Sequence, residues 1–510
     1  MASFFTIGEQ KVRPGVYYRY ENIGATATAG ADDGKCAIAF RSSWGEIGKA
    51  ILLEDIGAIQ KTFGNTAEQE SVAASDVEFS TGDGNSFDTE DGNGFGFVPD
   101  TDSNTLSTVY EAFKGGAQMV YGVRLGSGGT SGTYQIADTQ DVPVVQLTLK
   151  YPGSRSLYIV VRPTLSDAET SELIILEGTA QLEKLEFKNT ENGAQSLIDA
   201  YMLHGSSYFT LSKIADSQNP IKTVVQDEIT PGTDPVADVA AYSAAFEALE
   251  TQRWTVLAID TTDSAIQTMA QAFLDRIYQD GRFVMGVLGD KTSVPFETRL
   301  QRASSYNDYK IVYVGNGFID REGKSYEGYH AAAWVAGMVA STPSNESVTH
   351  LEIADAIDLV EPLTNMQYVK AILAGMLTFS SSAAGTFWID QGINTLVRPG
   401  KDDDAGWKKI KRVKVRFELF QRLNDTVDLL VARLNNDQDG RMTVVQVSNN
   451  VCNAMVAERK LLTGAHVELD PDNVPQGDSA WFIVYADDID ALEKMYYTFK
   501  LRFAPDNEAE

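Results

Sequence analysis

The sequence predicts an α/β plus α+β protein: a mostly parallel core, a β-rich insertion within it, and an α+β C-terminal region. Three observations predict this. Short apolar runs alternate with helical patterns over 36–125 and again over 239–400, the rhythm of strands covered on both faces by crossover helices. Between these stretches, 127–230 changes to alternating patterns punctuated by turn pairs such as Pro152-Gly153, which reads as a sheet-based module. Beyond residue 400 the periodic segments become strongly charged. The layout is therefore an N-terminal arm at 1–30, a core in two parts at 31–126 and 231–398, an inserted β-rich outer domain at 127–230, a C-terminal α+β domain at 399–494 and a C-terminal arm at 495–510.

Composition supports large cores. The chain has 510 residues, 43% hydrophobic and 22% charged, which corresponds to about three domains of ordinary globular balance. The 42 Lys and Arg against 71 Asp and Glu give a net charge of −29, which argues against nucleic acid as a direct partner. Cys36 and Cys452 stand alone and form neither a disulfide framework nor a metal cluster. The opening MASFFTIGEQKVRPG has no apolar h-region, and the longest apolar stretch, 331–341, is too short to cross a bilayer.

In chain order, Pro14-Gly15 bends the chain before Val16, Tyr17, Tyr18, Arg19 and Tyr20, a β-forming run,. The small, polar GATATAGADDG that follows is a hinge. Such a strand is either an edge strand of the first domain or an arm exchanged with a neighbouring subunit. Strands are expected at 36–45 and 118–125, with helices at 54–65 and 106–119. The intervening 75–104 is rich in Asp and Gly without Lys or Arg, and lacks the ligand spacing of an EF-hand,, so it reads as an acidic surface loop. Helices at 239–252, 262–280 and 328–341 alternate with strands at 254–260, 282–290 and 310–317. A polar segment occupies 291–309. These strands end at Asp260, Gly289-Asp290 and Gly315-Asn316-Gly317, where an α/β enzyme places its ligand.

The basic segment 401–422 contains period-two alternation in Lys411, Val413, Val415 and Phe417 against Arg412, Lys414 and Arg416, which predicts a strand passing into a helix after Asp425. Its charges fit either a solvated sheet face or a strip complementary to an acidic surface of another copy. A helix is expected at 443–461 and strands at 465–470 and 479–488. The chain closes with a further strand, LEKMYYTFKLRFAP.

Chemistry is sparse. His204, His330, His350 and His466 do not cluster, and no zinc or phosphate-loop motif occurs,. GSGGTSG at 126–132 precedes a β-rich module rather than a helix terminus and does not suit a pyrophosphate. Asp260, His330 and Ser382 give an Asp-His-Ser order, but a hydrolase needs a base in reach of its nucleophile and an oxyanion donor. FSSSAAG supplies no helix-capped nucleophile motif. No catalytic, cofactor or metal residue is assigned. A binding protein whose β-rich module carries the affinity is a further alternative.

Three segments resemble the contractile tail sheath proteins of myovirus-type phages and related phage-tail-like particles: VRPGVYYRYEN near the start, YHAAAWVAGMVASTPSNESVTHLEI at 329–353, and WIDQGINTLVRPGKDDDAGWKKIKRVKVRFELFQRLNDTV with its Gly392–Leu396 core. The resemblance covers most of the chain, least securely 127–230. It implies a structural polymer rather than an enzyme, with a subtilisin-like α/β core that has no catalytic triad. The implied partners are other copies in stacked six-fold rings, an inner tail tube, and baseplate and tail terminator proteins. Assembly would occur in the bacterial host cytoplasm, for a virion tail or for a headless bacteriocin or injection particle. The resemblance also implies exchanged terminal strands. Val16–Tyr20 would form one donated strand. Tyr496, Tyr497, Thr498, Phe499, Lys500, Leu501, Arg502 and Phe503 would form the other. A basic strand at Lys411–Phe417 would lie in the receiving domain.

Overall fold

The structure is a computed structural model, and it describes residues 2–4, 16–18, 34–66, 103–401 and 404–501. Arg19, Tyr20, Arg502, Phe503, most of the glycine-alanine hinge and nearly all of the acidic 75–104 segment lie outside these residues.

Two short strands, β1 (Ala2–Phe4) and β2 (Val16–Tyr18), pair with each other in parallel. The core then begins with β3 (Lys35–Phe40), β4 (Ala50–Leu53), α1 (Ile56–Phe63), α2 (Ser107–Lys114) and β5 (Met119–Arg124). Asp55 caps α1 by accepting from the Ala58 N–H, satisfying one of the orphan donors of a helix start.

The insertion follows. Strands β6 (Ser131–Ala137), β7 (Pro143–Pro152), β8 (Tyr158–Pro163), β9 (Thr170–Glu177) and β10 (Ala180–Lys188) precede α3 (Gly193–His204), β11 (Phe209–Lys213) and β12 (Val224–Glu228). They form two sheets, in the orders β10-β9-β8-β12 and β11-β7-β6, with all pairings antiparallel. Their apolar residues, among them Val145, Leu147, Ile159 and Ile175, share one core. Trp44 of the α/β part enters this core. It meets Tyr151 edge-on at 5.2 Å and stacks on Tyr208 at 5.9 Å. A long apolar contact thus joins the insertion to the core.

The chain returns through α4 (Val239–Glu250), β13 (Val256–Ile259), α5 (Ser264–Gln279), β14 (Met285–Gly289), α6 (Phe296–Tyr306), β15 (Ile311–Val314), β16 (Phe318–Asp320), β17 (Ser325–Tyr326) and α7 (Tyr329–Ser341). Next come β18 (Ala356–Leu359), α8 (Asn365–Ala374), β19 (Met376–Leu377), β20 (Phe379–Ser381) and β21 (Phe387–Ile389). The main sheet has seven strands in the order β19-β15-β14-β13-β3-β5-β4. All its pairings are parallel except that of β4, the antiparallel edge. Helices cover both faces, which explains the continuously apolar strands. The segment 291–309, expected to be polar connection, contains α6: Arg299, Leu300 and Ala303 are buried, too short an apolar stripe to stand out.

Helix α7 is buried almost all round. It crosses α2 at close range, because a Cβ on Gly115 would lie 2.1 Å from the Trp334 carbonyl and one on Gly337 2.1 Å from that of Ala112. Glycine at both positions is what lets the two backbones touch.

The C-terminal part consists of α9 (Ile410–Asp428), α10 (Gln438–Ala457) and an antiparallel hairpin, β22 (His466–Leu469) with β23 (Phe482–Tyr485). Here one expectation is overturned. Lys411, Val413, Val415 and Phe417 belong to a helix, not to a strand. The alternation that suggested a strand coexists with helical spacing: Ile410, Val413 and Phe417 join the main core, while Leu419 and Leu423 face α10 and the hairpin. Contacts on every side of the helix erase the single apolar stripe by which a surface helix is recognised.

Candidate assembly surface

The charges of α9 are interior. Lys411, Arg412, Lys414, Arg416 and Glu418 are all buried, so neither a solvated strip nor a surface facing another copy describes them. Arg412 makes a two-pronged ion pair with Asp488, one helical turn from Arg416, which donates to Asp404 at 2.7 Å and lies 4.0 Å from the centre of the Trp407 ring. Lys414 donates to the carbonyls of Val339 (2.6 Å) and Thr342, at the C-terminal end of α7, where a cation is favoured. Glu418 accepts from Ser344 (2.8 Å) and Lys460 (2.9 Å) and pairs with Arg422. Burial pulls the Lys411 ammonium and the Arg416 guanidinium below their ordinary pKa and pushes the Glu418 carboxyl up. Burial also opposes the Arg412 charge, yet the bond to Asp488 raises its pKa above the ordinary value. Sequence reasoning missed most of these partners because Asp488, Val339, Thr342, Ser344 and Lys460 arrive from 42 to 76 residues away.

The same network pins the chain after the hairpin. Asp488 is held by Arg412, Asp490 by Lys409 at 2.6 Å, and Glu493 by Lys409 at 3.1 Å, Ser347 at 3.1 Å and Thr349 at 3.0 Å. Beyond Glu493 the chain changes character. Tyr496, Tyr497, Phe499 and Leu501 are exposed by 90%, 76%, 80% and 91%. Residues 491–501 join no strand ladder. Met495, Tyr497, Phe499 and Leu501 alternate with Lys494, Tyr496, Thr498 and Lys500, the pattern of a strand with one face to bury. At the other end, Val16, Tyr17 and Tyr18 form β2, paired with β1 of the same chain.

The strand ends that could have held a ligand are filled by protein. β3 and β13 lie where the strand order reverses, and there Asp260 accepts from the Arg41 side chain at 2.8 Å, Thr105 at 2.5 Å and Tyr242 at 2.5 Å. After β14, Asp290 pairs with Arg302 at 2.7 Å and accepts from the Tyr313 hydroxyl. After β15, the Asn316 side chain bonds the backbone N–H and carbonyl of Phe379. His330 bonds Glu111 through Nδ1 at 2.8 Å. The Ser382 hydroxyl oxygen accepts from Ala384 and Thr386 in a hairpin turn. Asp260, His330 and Ser382 thus belong to three separate hydrogen-bonded groups, and the hydrolase alternative loses its triad. Among the described residues no group of three or more His, Cys, Asp or Glu is arranged to hold a metal, and no helix is long and apolar enough to cross a membrane.

Residues 236–395 match the family model for the phage tail sheath protein central domain. The chain carries a tail sheath domain. That sheath domain spans the second part of the core, from α4 to the Gly392–Leu396 segment. Across most of its length the chain is also similar to the phage-like element PBSX protein XkdK of Bacillus subtilis, with 22% identity over 81% of this chain and 78% of that protein. Its fold is that of the sheath tail protein of Desulfitobacterium hafniense, with a TM-score of 0.69, 20% identity and coverage of 96% of this chain and 100% of the other. The helical sheath protein of the anti-feeding prophage in its contracted state has the same fold at a TM-score of 0.51 and 11% identity, over 97% and 100% of the chains.

Proposed function

We propose that this chain is the structural subunit of a contractile sheath, in a phage tail or a phage-tail-like particle, and that it works by polymerising rather than by catalysis. The match of its central domain to the tail sheath family carries this reading, and folds shared with sheath proteins of contractile particles support it. The core has a subtilisin-like general arrangement whose strand ends are occupied by ion pairs and amides. Copies assemble as six-fold rings stacked around an inner tube, bounded by baseplate and terminator proteins.

Strand exchange links the copies. The tail at Tyr496–Phe503 and the segment at Val16–Tyr20 are donated to the C-terminal domains of neighbours. The exposed, alternating Met495–Leu501 segment supports donation, since an extended chain with one apolar face is stabilised by adding to a sheet. With α9 a helix, the hairpin β22–β23 is the sheet available to receive it. Each backbone hydrogen bond so formed contributes about 0.5–1.5 kcal/mol net, so a short strand supplies several kcal/mol. Contraction is then a switch between two packings of core domains held in one mesh, driven by conformational energy without a nucleotide.

Electron microscopy of the full-length chain mixed with its tube and baseplate tests this, beside chains lacking residues 1–24 or 494–510. Hollow cylinders from the full chain and none from either truncation are expected. Uniform monomers of the full chain in that mixture would sink the proposal.

A further inference from the structure

The two outer edges of the β22–β23 hairpin are not equivalent. Val467 lies opposite Val484, and Leu469 opposite Phe482. The Asp470 N–H bonds the Trp481 carbonyl, which sets the alternation: residues 466, 468 and 470 exchange backbone bonds with 485, 483 and 481. The N–H and C=O groups of Val467, Leu469, Phe482 and Val484 therefore point away from the hairpin.

On the β22 side the outward groups of Val467 are taken. The Val467 N–H donates to Asn449 Oδ1 at 2.7 Å, and Asn449 Nδ2 donates to the Val467 carbonyl at 3.2 Å. One side-chain amide from α10 thus replaces the backbone of a neighbouring strand. On the β23 side, no partner for the outward N–H and C=O of Val484 is found among the described residues. Burial shows the same asymmetry. Val467 is 3% exposed, whereas Val484, its partner on the same face of the sheet, is 40% exposed. The apolar face is finished at β22 and unfinished at β23.

Resting on the strand-exchange reading above, we propose that β23 is the accepting edge, that its occupant is the 495–501 segment of a second copy of this chain, and that Asn449 shuts the β22 edge. Laid beside β23, the side chains of Met495, Tyr497, Phe499 and Leu501 extend the face begun by Phe482 and Val484. Charge favours the same pairing. The hairpin and its flanks from 466 to 487 carry Glu468, Asp470, Asp472, Asp478 and Asp487 and no Lys or Arg, whereas 494–502 carries Lys494, Lys500 and Arg502 and no acid. In a chain of net charge −29, this local complementarity steers a tail to a hairpin and away from other acidic surface. Residues 491–501 of the chain's own tail, which is pinned at Asp488, Asp490 and Glu493, make no ladder with β23. With β22 closed, a second donated strand has to add outside the first.

Hydrogen exchange on the full-length chain, with and without a synthetic peptide of residues 494–503 at millimolar concentration, tests the assignment. The Val484 amide should exchange at least ten-fold more slowly with peptide, with Leu469 unchanged, and a peptide carrying Phe499→Asp and Leu501→Asp should have no effect. In Asn449→Ala, the peptide should protect Leu469 as well. Protection of Leu469 instead of Val484 in the unaltered chain would overturn the edge assignment and leave strand exchange standing. An Asn449→Ala chain whose β22 edge stays unprotected would overturn the role of Asn449. Protection at neither edge would count against strand exchange itself.

Discussion

Two segments of this chain look alike in sequence and end in opposite environments. Residues 411–417 (KRVKVRF) and 497–502 (YTFKLR) both alternate basic or polar with apolar side chains. The first is a helix with its charges buried; in the second, residues 497–501 are exposed and join no strand ladder among the described residues. The difference lies in what surrounds them. Asp404, Asp488, the end of α7 and Lys460 converge on α9, whereas nothing among the described residues buries Tyr496, Tyr497, Phe499 or Leu501. Alternation tells which residues share a face only after the secondary structure is known.

The comparison breaks most readily at Arg412. Arg412→Met leaves Asp488 buried without its cation and should destabilise the chain by about 3–5 kcal/mol, read as a shift of the urea midpoint. Lys414→Met strands two carbonyls at the end of α7 and should cost about 1–3 kcal/mol by the same measurement. A smaller effect belongs to Glu458, whose carboxyl is held down to about 2 by the Arg422 hydrogen bond, with Lys460 assisting. A depressed carboxylate stabilises the fold fully above its ordinary pKa of 4.5, and that contribution is lost as pH falls from there toward about 2,. Because Glu458 is partly exposed, the total is below about 1 kcal/mol, and Glu458→Gln should flatten the acid limb of a stability-pH curve over that window. The smallest stability change is expected in the tail. Phe499→Asp with Leu501→Asp should alter the unfolding midpoint of the free chain by no more than about 0.5 kcal/mol while abolishing cylinders in electron micrographs. A large loss of monomer stability there would mean that the tail packs on its own chain.

Much of the core was legible. Helices led by Asp238 and Asp263, and strands such as Val256–Ile259 and Met285–Gly289, followed from apolar runs of the right length separated by capping residues,. Helix α6 was not legible, because only Arg299, Leu300 and Ala303 turn inward. The hairpin strands at His466–Leu469 and Phe482–Tyr485 are visible as β-formers, but a two-stranded sheet of their own, without Lys411–Phe417 as a strand beside them, is not. Signals for α9 did exist, in the Ile410, Val413, Phe417 spacing and in the Lys414, Glu418, Arg422 succession at intervals of four,.

The sequence by itself determined the parallel core, the β-rich insertion, the alternating C-terminal tail and the absence of recognisable catalytic and metal motifs, because these rest on local pattern and residue type. Only the tertiary structure decided that Asp260 is neutralised by Arg41, that α9 is an interior helix, and that Asn449 closes one edge of the hairpin while Val484 leaves the other open. Each of those depends on partners brought from distant parts of the chain, and a hydrogen bond or ion pair leaves no trace in the spacing of either partner alone.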